Sequence, residues 1–182
     1  TTAGRPAAKA SRPETMDYLE DIFGGAIETL YSNPANIEEA VLRADLVIGA
    51  VLVTGAVAPK LMDRALVSKM EKGSVIVDVA IDQGGCIETV RPTSHDHPTY
   101  EVDGVIHYCV PNMPGAVAHT STFALTNTTM KYAIAIADKG VVAASKADPA
   151  LALGINCFDG ACTYEAVAQA HGLEYTPLTK VL

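Results

Sequence analysis

The chain has 182 residues, 49% of them hydrophobic and 19% charged, with no tryptophan, which is the composition of a globular domain with a real core rather than of a disordered segment. A formal net charge of −8 argues against nucleic acid and anionic membrane surfaces as partners. The longest apolar run, Leu46 to Val53, has the length of a strand and falls far short of the ~18 residues that a membrane span needs.

Residues 1–15 (TTAGRPAAKASRPET) show no apolar periodicity and carry Pro6 and Pro13, so an extended or disordered arm is expected. No apolar h-region marks a signal peptide. From Met16 to Phe23 the residues Tyr18, Leu19, Ile22 and Phe23 share one helical face, and Gly24-Gly25 stops the helix. A short strand is expected from Glu28 to Ser32. Asn36 is a plausible cap for a helix through Leu42, with Glu38 and Glu39 suiting its first turn. Asp45 to Val53 reads as a fully buried strand. Pro59 suits the first turn of a helix reaching Met70. Gly73 ends that helix, and Ser74 to Ala80 is the next buried strand. Residues 86–103 read as a polar loop, Val105 to Val110 as a strand, and Asn112 to Gly115 as a loop. A long helix is expected from Thr120 to Asp138, ended by Lys139-Gly140. Shorter helices follow from Val141 to Leu151 and from Tyr164 to His171. Short apolar strands alternating with helices indicate an α/β fold with a parallel sheet covered on both faces.

The cysteines are Cys86, Cys109, Cys157 and Cys162, with no Cys-x-x-Cys pair, so four reduced and mostly buried thiols of a cytoplasmic protein are expected. His95-Asp96-His97 supplies too few ligands for zinc, so no metal site is expected. Chemistry concentrates instead in Val77-Asp78-Val79-Ala80-Ile81-Asp82-Gln83-Gly84-Gly85. The run reads as a buried parallel strand that stops in a glycine turn, and ligands of open α/β sheets bind beyond such carboxyl ends. Asp82 there is either a carboxylate facing a ligand or a turn-forming aspartate.

The segments ADLVIGAVLVTGAVAPKLM, GSVIVDVAIDQGGCIETVRPTSHDHPTY, VDGVIHYCVPNMPGAV and TSTFALTN, in that order, resemble the NAD-binding domain of bacterial L-alanine dehydrogenases. That family also includes the NAD-binding part of the proton-translocating transhydrogenase α chain. The likeness covers about residues 16–182. It implies a Rossmann-like doubly wound parallel sheet, incomplete at its N-terminal end, with a partial NAD-binding domain over 16–140. Residues 141–182 match the helical segment that in relatives returns to the substrate domain.

The activity implied is NAD-dependent, reversible oxidative deamination of L-alanine to pyruvate and ammonia. Asp82 matches the family's catalytic aspartate beside the nicotinamide. Val79, Ala80 and Ile81 match positions along the nicotinamide edge, and Asn112 and Met113 match the loop that closes over the nicotinamide amide and ribose. Val51, Leu52 and Ser32 match positions lining the adenine and ribose channel. The family also implies self-association, here as a homodimer through residues 120–138 and neighbouring strands.

Several family features are not found in these residues. No Gly-x-Gly-x-x-Gly turn is present, and Ala10 stands where an acid grips the adenosine ribose. The substrate domain, with its arginine, lysine and histidine, is not represented. Thr54 replaces a usual proline, and Ala118-His119 replaces Pro-Arg. The competing reading is a non-catalytic remnant that keeps the fold and dimer surface, and binds nucleotide weakly or serves as a partner subunit. A transhydrogenase-like nucleotide module is a weaker third.

Overall fold

Strands of four residues alternate with helices through the first part of the computed structural model, which describes residues 7–51 and 57–182. Two compact units are present: residues 7–51 with Ala58–Pro111, and Asn112–Leu182 with Val57. The first begins with β1 (Ala7–Ala10), followed by α1 (Pro13–Phe23) and β2 (Glu28–Tyr31), which runs parallel to β1. Residues 7–10 of the expected arm are therefore a paired strand, and the helix begins at Pro13 rather than Met16. Ala-Ala-Lys-Ala has little strand propensity of its own, so the β2 ladder supplies the order. Gly24 ends α1 as expected, at φ 53°, with its N–H donating to the Glu20 carbonyl at 2.8 Å.

The cap of α2 (Pro34–Leu42) is Asn33, not Asn36. Asn33 Oδ1 accepts from the Asn36 N–H at 2.8 Å, and Pro34 fills the first helical position, where a missing N–H costs nothing. Ile37 and Val41 turn inward.

β3 (Leu46–Gly49) is shorter than the expected 45–53 strand, and it is not buried on both faces: Leu46 and Ile48 are exposed. The expected helix from Pro59 shrinks to α3 (Arg64–Val67), capped by Asp63 Oδ1 accepting from the Leu66 N–H at 2.8 Å. Residues 58–62 are held instead by a neighbouring segment. The N–H groups of Ala58 and Leu61 donate to the carbonyls of Gln83 and Cys86 at 3.0 and 2.7 Å, and the Glu88 N–H donates to Met62 at 2.9 Å. Backbone groups committed to a ladder cannot close helical turns.

β4 (Val75–Asp78) lies parallel to β3, with Gly49 opposite Asp78. The segment expected to be a polar loop ends in a further strand, β5 (Thr99–Val102), which pairs antiparallel with β6 (Val105–Tyr108). Asp103 and Gly104 join them with φ values of 55° and 86°, the two-residue turn that matches strand twist. The sheet order is β3-β4-β6-β5, with β4 and β6 parallel. One face, carrying Val47, Ile76 and Val105, packs on Ile37, Val41, Val67 and Met70. The other presents Leu46, Ile48 and Ile106.

The second unit starts with a 3-10 turn, Met113–Val117, leading into α4 (Ala118–Ala147). Gly140, at φ 76° and ψ 160°, breaks α4 where the expected helix stops. The expected 141–151 helix is divided at Asp148, whose Oδ1 accepts from the Ala150 N–H at 2.9 Å and starts α5 (Pro149–Leu153). A small hairpin, β7 (Cys157–Phe158) and β8 (Ala161–Cys162), precedes α6 (Glu165–His171). No helix among the described residues is long and apolar enough to cross a membrane.

Candidate functional site

The carboxyl ends of β3 and β4 lie side by side, and the chain beyond β4 builds the candidate site. The strand stops at Asp78, four residues before Asp82. Residues Val79–Gln83 form a 3-10 turn, closed by Gly84 at φ 85° with its N–H donating to Ile81 at 3.0 Å. An apolar run had made strand and turn look continuous. Within the turn, Ala80 and Ile81 point into the core, at 7% and 4% exposure, while Val79 and Asp82 face outward. Any contact to a ligand from Ala80 or Ile81 is therefore through backbone.

The acid at the true strand end is Asp78, fully buried. Its Oδ2 accepts from the Cys86 N–H at 2.8 Å, which folds the return chain back on the strand, while Oδ1 has no protein partner. The close approach needs two glycines. A Cβ on Gly85, at φ 73°, would lie 2.3 Å from Val90 Cγ2 and 2.9 Å from Asp78 Oδ2. One on Gly49 would lie 2.5 Å from Cys86 Sγ. Burial, then the Asp78 charge, pushes the Cys86 thiol up to about 11, so it stays protonated.

Lys60 holds the turn from the other side. Its Nζ donates to the carbonyls of Gly84, Gly85 and Ile87 at 2.7, 2.9 and 3.2 Å. Consecutive glycines in left-handed conformation leave the Gly84 and Gly85 carbonyls without a regular ladder partner, and the flexible ammonium reaches both and the Ile87 carbonyl beside them. A hollow of about 500 Å³ beside Lys60 is bounded by Ile37, Leu61, Leu66 and Glu88 and does not include Asp82.

Behind the turn sits a buried polar cluster. His107 on β6 donates from Nδ1 to the Val105 carbonyl at 2.9 Å, because a carbonyl can only accept. Its Nε2 then accepts from Thr89 Oγ1 at 2.8 Å. Burial lowers the His107 pKa and keeps the ring neutral. Tyr100 stacks on it at 5.1 Å, donates to the Thr89 carbonyl at 3.1 Å, and lies under the Arg91 guanidinium at 4.1 Å. Burial pushes its phenol up to about 12.

The remaining expected contacts are distributed. Ser32 follows β2 half-buried, with its N–H donating to Ala10 at 2.9 Å, and Val51 follows β3 half-buried against the core. Leu52 and Thr54 lie outside the described residues. In the second unit, Asn112 is exposed at φ 54° and its carbonyl accepts from the Gly115 N–H at 2.8 Å, with Met113 opening the following turn. His95, Asp96 and His97 stand exposed in a bend, and no cluster of three or more metal-ligating side chains occurs among the described residues. Sequence reasoning passed over Asp78, Lys60 and His107. The available signals were an acid and a histidine inside apolar strands, and a glycine pair whose carbonyls need donors.

Parallel strands joined by helices, with a glycine-capped acidic turn at their carboxyl ends, define the Rossmann-like α/β class. A family model described as alanine dehydrogenase/PNT, C-terminal domain, matches residues 7–165. The chain is 60% identical over 168 residues to an alanine dehydrogenase of Methanococcus maripaludis, covering 92% of this chain and 45% of that protein. It is 58% identical over 170 residues to an alanine dehydrogenase of Bacillus subtilis, covering 93% and 45%. A solved L-alanine dehydrogenase superposes with a TM-score of 0.83 at 51% identity, over 93% of this chain and 46% of that one. A transhydrogenase from Sinorhizobium meliloti gives 0.56 at 27% identity, over 64% and 32%. The chain belongs to the alanine dehydrogenase/PNT C-terminal domain family. It spans about 45% of the length of the curated relatives it matches.

Proposed function

We propose that the chain forms the NAD-binding part of an L-alanine dehydrogenase, acting in the cytoplasm on L-alanine in one direction and on pyruvate and ammonia in the other, with Asp82 as its catalytic carboxylate. The observation that carries this reading is the placement of Asp82: outward-facing, on a turn fixed by Asp78 and Lys60 just beyond adjacent parallel strand ends. Family membership supplies the chemistry.

The residues present fit the nicotinamide end of NAD. Exposed Val79 offers an apolar face just beyond β4, and the neighbouring Asp82 offers charge. Bound NAD would accept hydride from the α-carbon of L-alanine. Asp82 then provides a preorganised negative field for the iminium cation developing on the substrate, and an acceptor for the attacking water or leaving ammonia. Protonated Cys86 and neutral His107 add no competing charge. At the adenosine end, Ala10 closes β1 without a carboxylate, so Ser32 and Val51 carry that contact and the diphosphate turn is supplied by none of these 182 residues. The remnant reading is the competing outcome, and Ala10 in place of a carboxylate is the observation behind it.

A second copy of the chain is the partner proposed for α4, which exposes Phe123, Leu125, Met130 and Ile134. The function is tested by assaying NAD reduction with L-alanine and NAD-induced thermal shift, for the chain and for Asp82→Asn. The expected result is a thermal shift in both proteins and a turnover loss of about 100-fold or more in the variant. No shift and no turnover in either would establish the remnant reading.

A further inference from the structure

Two cysteines in the second unit stand opposite each other across a hairpin. Cys157 on β7 pairs with Cys162 on β8, and the turn between them, Asp159-Gly160, has φ values of 48° and 81°. That is the two-residue turn with both central residues left-handed, which fixes register. Phe158 and Ala161, flanking the turn, form a hydrogen-bonded pair in such a hairpin. The next pair outward is Cys157 with Cys162, and it is the non-hydrogen-bonded kind. Asn156 and Thr163 resume the ladder, with the Thr163 N–H donating to Asn156 at 2.8 Å. At a non-hydrogen-bonded pair the side chains share one face and the Cα atoms lie about 4.5 Å apart. A disulfide needs Cα atoms roughly 4.4–6.8 Å apart.

The backbone around the pair is also tied down. The Cys162 carbonyl accepts from the Thr176 N–H at 2.9 Å, and the Cys162 thiol donates weakly to the Tyr164 carbonyl at 3.6 Å. Cys157 is exposed, and both cysteines line a hollow of about 440 Å³ with Asp159, Leu173 and Glu174. A small oxidant therefore reaches Cys157 first, with Cys162 6% exposed beside it.

We infer that Cys157 and Cys162 form a redox-active dithiol, which a peroxide converts to an intramolecular disulfide. The Cys157 sulfur attacks one peroxide oxygen and breaks the O–O bond. Its proton leaves with the departing oxygen as water, and a sulfenic acid remains. The Cys162 sulfur then displaces that hydroxyl group, the S–S bond forms, and the second thiol proton departs in a second water. Two electrons pass from the sulfurs to the peroxide. Oxidation gives up the weak bond to Tyr164 and cross-links the hairpin ahead of α6. Cys86 and Cys109 are both buried, and they serve as internal controls.

The test treats the purified chain with hydrogen peroxide and measures intact mass, thiol titre in denaturant, and migration on a non-reducing gel. The expected product is a monomer two hydrogen atoms lighter, with four thiols reduced to two, a cross-linked 157–162 peptide, and full reversal by dithiothreitol. Cys162→Ser is expected to lose the cross-link and to accumulate oxygen adducts on Cys157 instead. Four surviving thiols, oxygen adducts on Cys157 in the unaltered chain, or a covalent dimer through Cys157 would each overturn the assignment.

Discussion

Residues 78–88 and residues 112–117 each combine a left-handed residue with a 3-10 turn, and each holds a proposed nicotinamide contact, but they are secured by different means. The first is clamped from several directions: Asp78 holds the Cys86 amide, Lys60 holds three carbonyls, and residues 58–62 ladder along its return. The second rests on the bond from Gly115 N–H to Asn112 and on the Ser121 hydroxyl donating to Pro114 at 3.0 Å, with Asn112 exposed and no residue of the Met113–Val117 turn buried. The carboxylate proposed to act in the reaction sits on the braced turn. The contact proposed to admit and release a ligand sits on the lightly tied one. On that proposal, preorganisation is concentrated where charge develops.

The comparison can be broken most directly at Gly85. Gly85→Ala adds left-handed strain and a collision with Val90 and Asp78, and is expected to cost about 3 kcal/mol in denaturant unfolding. Gly160→Ala, at φ 81° with open space around it, is the control and is expected to cost only the strain, about 1–2 kcal/mol. Equal losses would show that the fit around Gly85 is not tight. Lys60→Met comes next. Loss of its bonds to the partly solvated carbonyls is expected to cost about 1 kcal/mol and to weaken NAD binding by loosening the Asp82 turn.

The third effect is a pH dependence. The folded His107 pKa lies below its unfolded value near 6.5, so the unfolded chain binds the extra proton first. Its contribution to stability is therefore complete above that range and is lost as pH falls below it. The midpoint of urea unfolding should drop on acidification, less steeply in His107→Gln; identical slopes would rule the histidine out. Smallest of all, Asn112→Gly relieves a left-handed residue whose side chain makes no capping bond, and should change stability by less than about 0.5 kcal/mol. If Asn112 meets the ligand, NAD affinity falls in that variant; unchanged affinity would remove it from the site.

Most of the architecture was legible in the sequence, and the misreadings share one physical origin. Apolar runs locate strands, but they do not say where a strand ends, because residues entering the core from a 3-10 turn are as apolar as those in the ladder. Ala80 and Ile81 show this, and they moved Asp82 from a strand tip to a turn. Ala7 to Ala10 had the opposite problem: weak propensity hid a strand that its partner creates. Pro59 was a sound local signal for a helix, overridden by backbone bonds to residues distant in sequence. Lys60 and Asp78 could not be ranked from sequence because their value lies in which carbonyls and amides the fold brings to them. Glycines at 24, 84 and 140 were reliable because their signal is local.

β5 has a consequence for how the sheet meets other molecules. A sheet margin is a row of open donors and acceptors on which another chain could grow. Here that margin is a reversed strand only four residues long, with Glu101 exposed along it. So brief and charged a border offers little template for stacking, and on this side it protects the chain from aggregation.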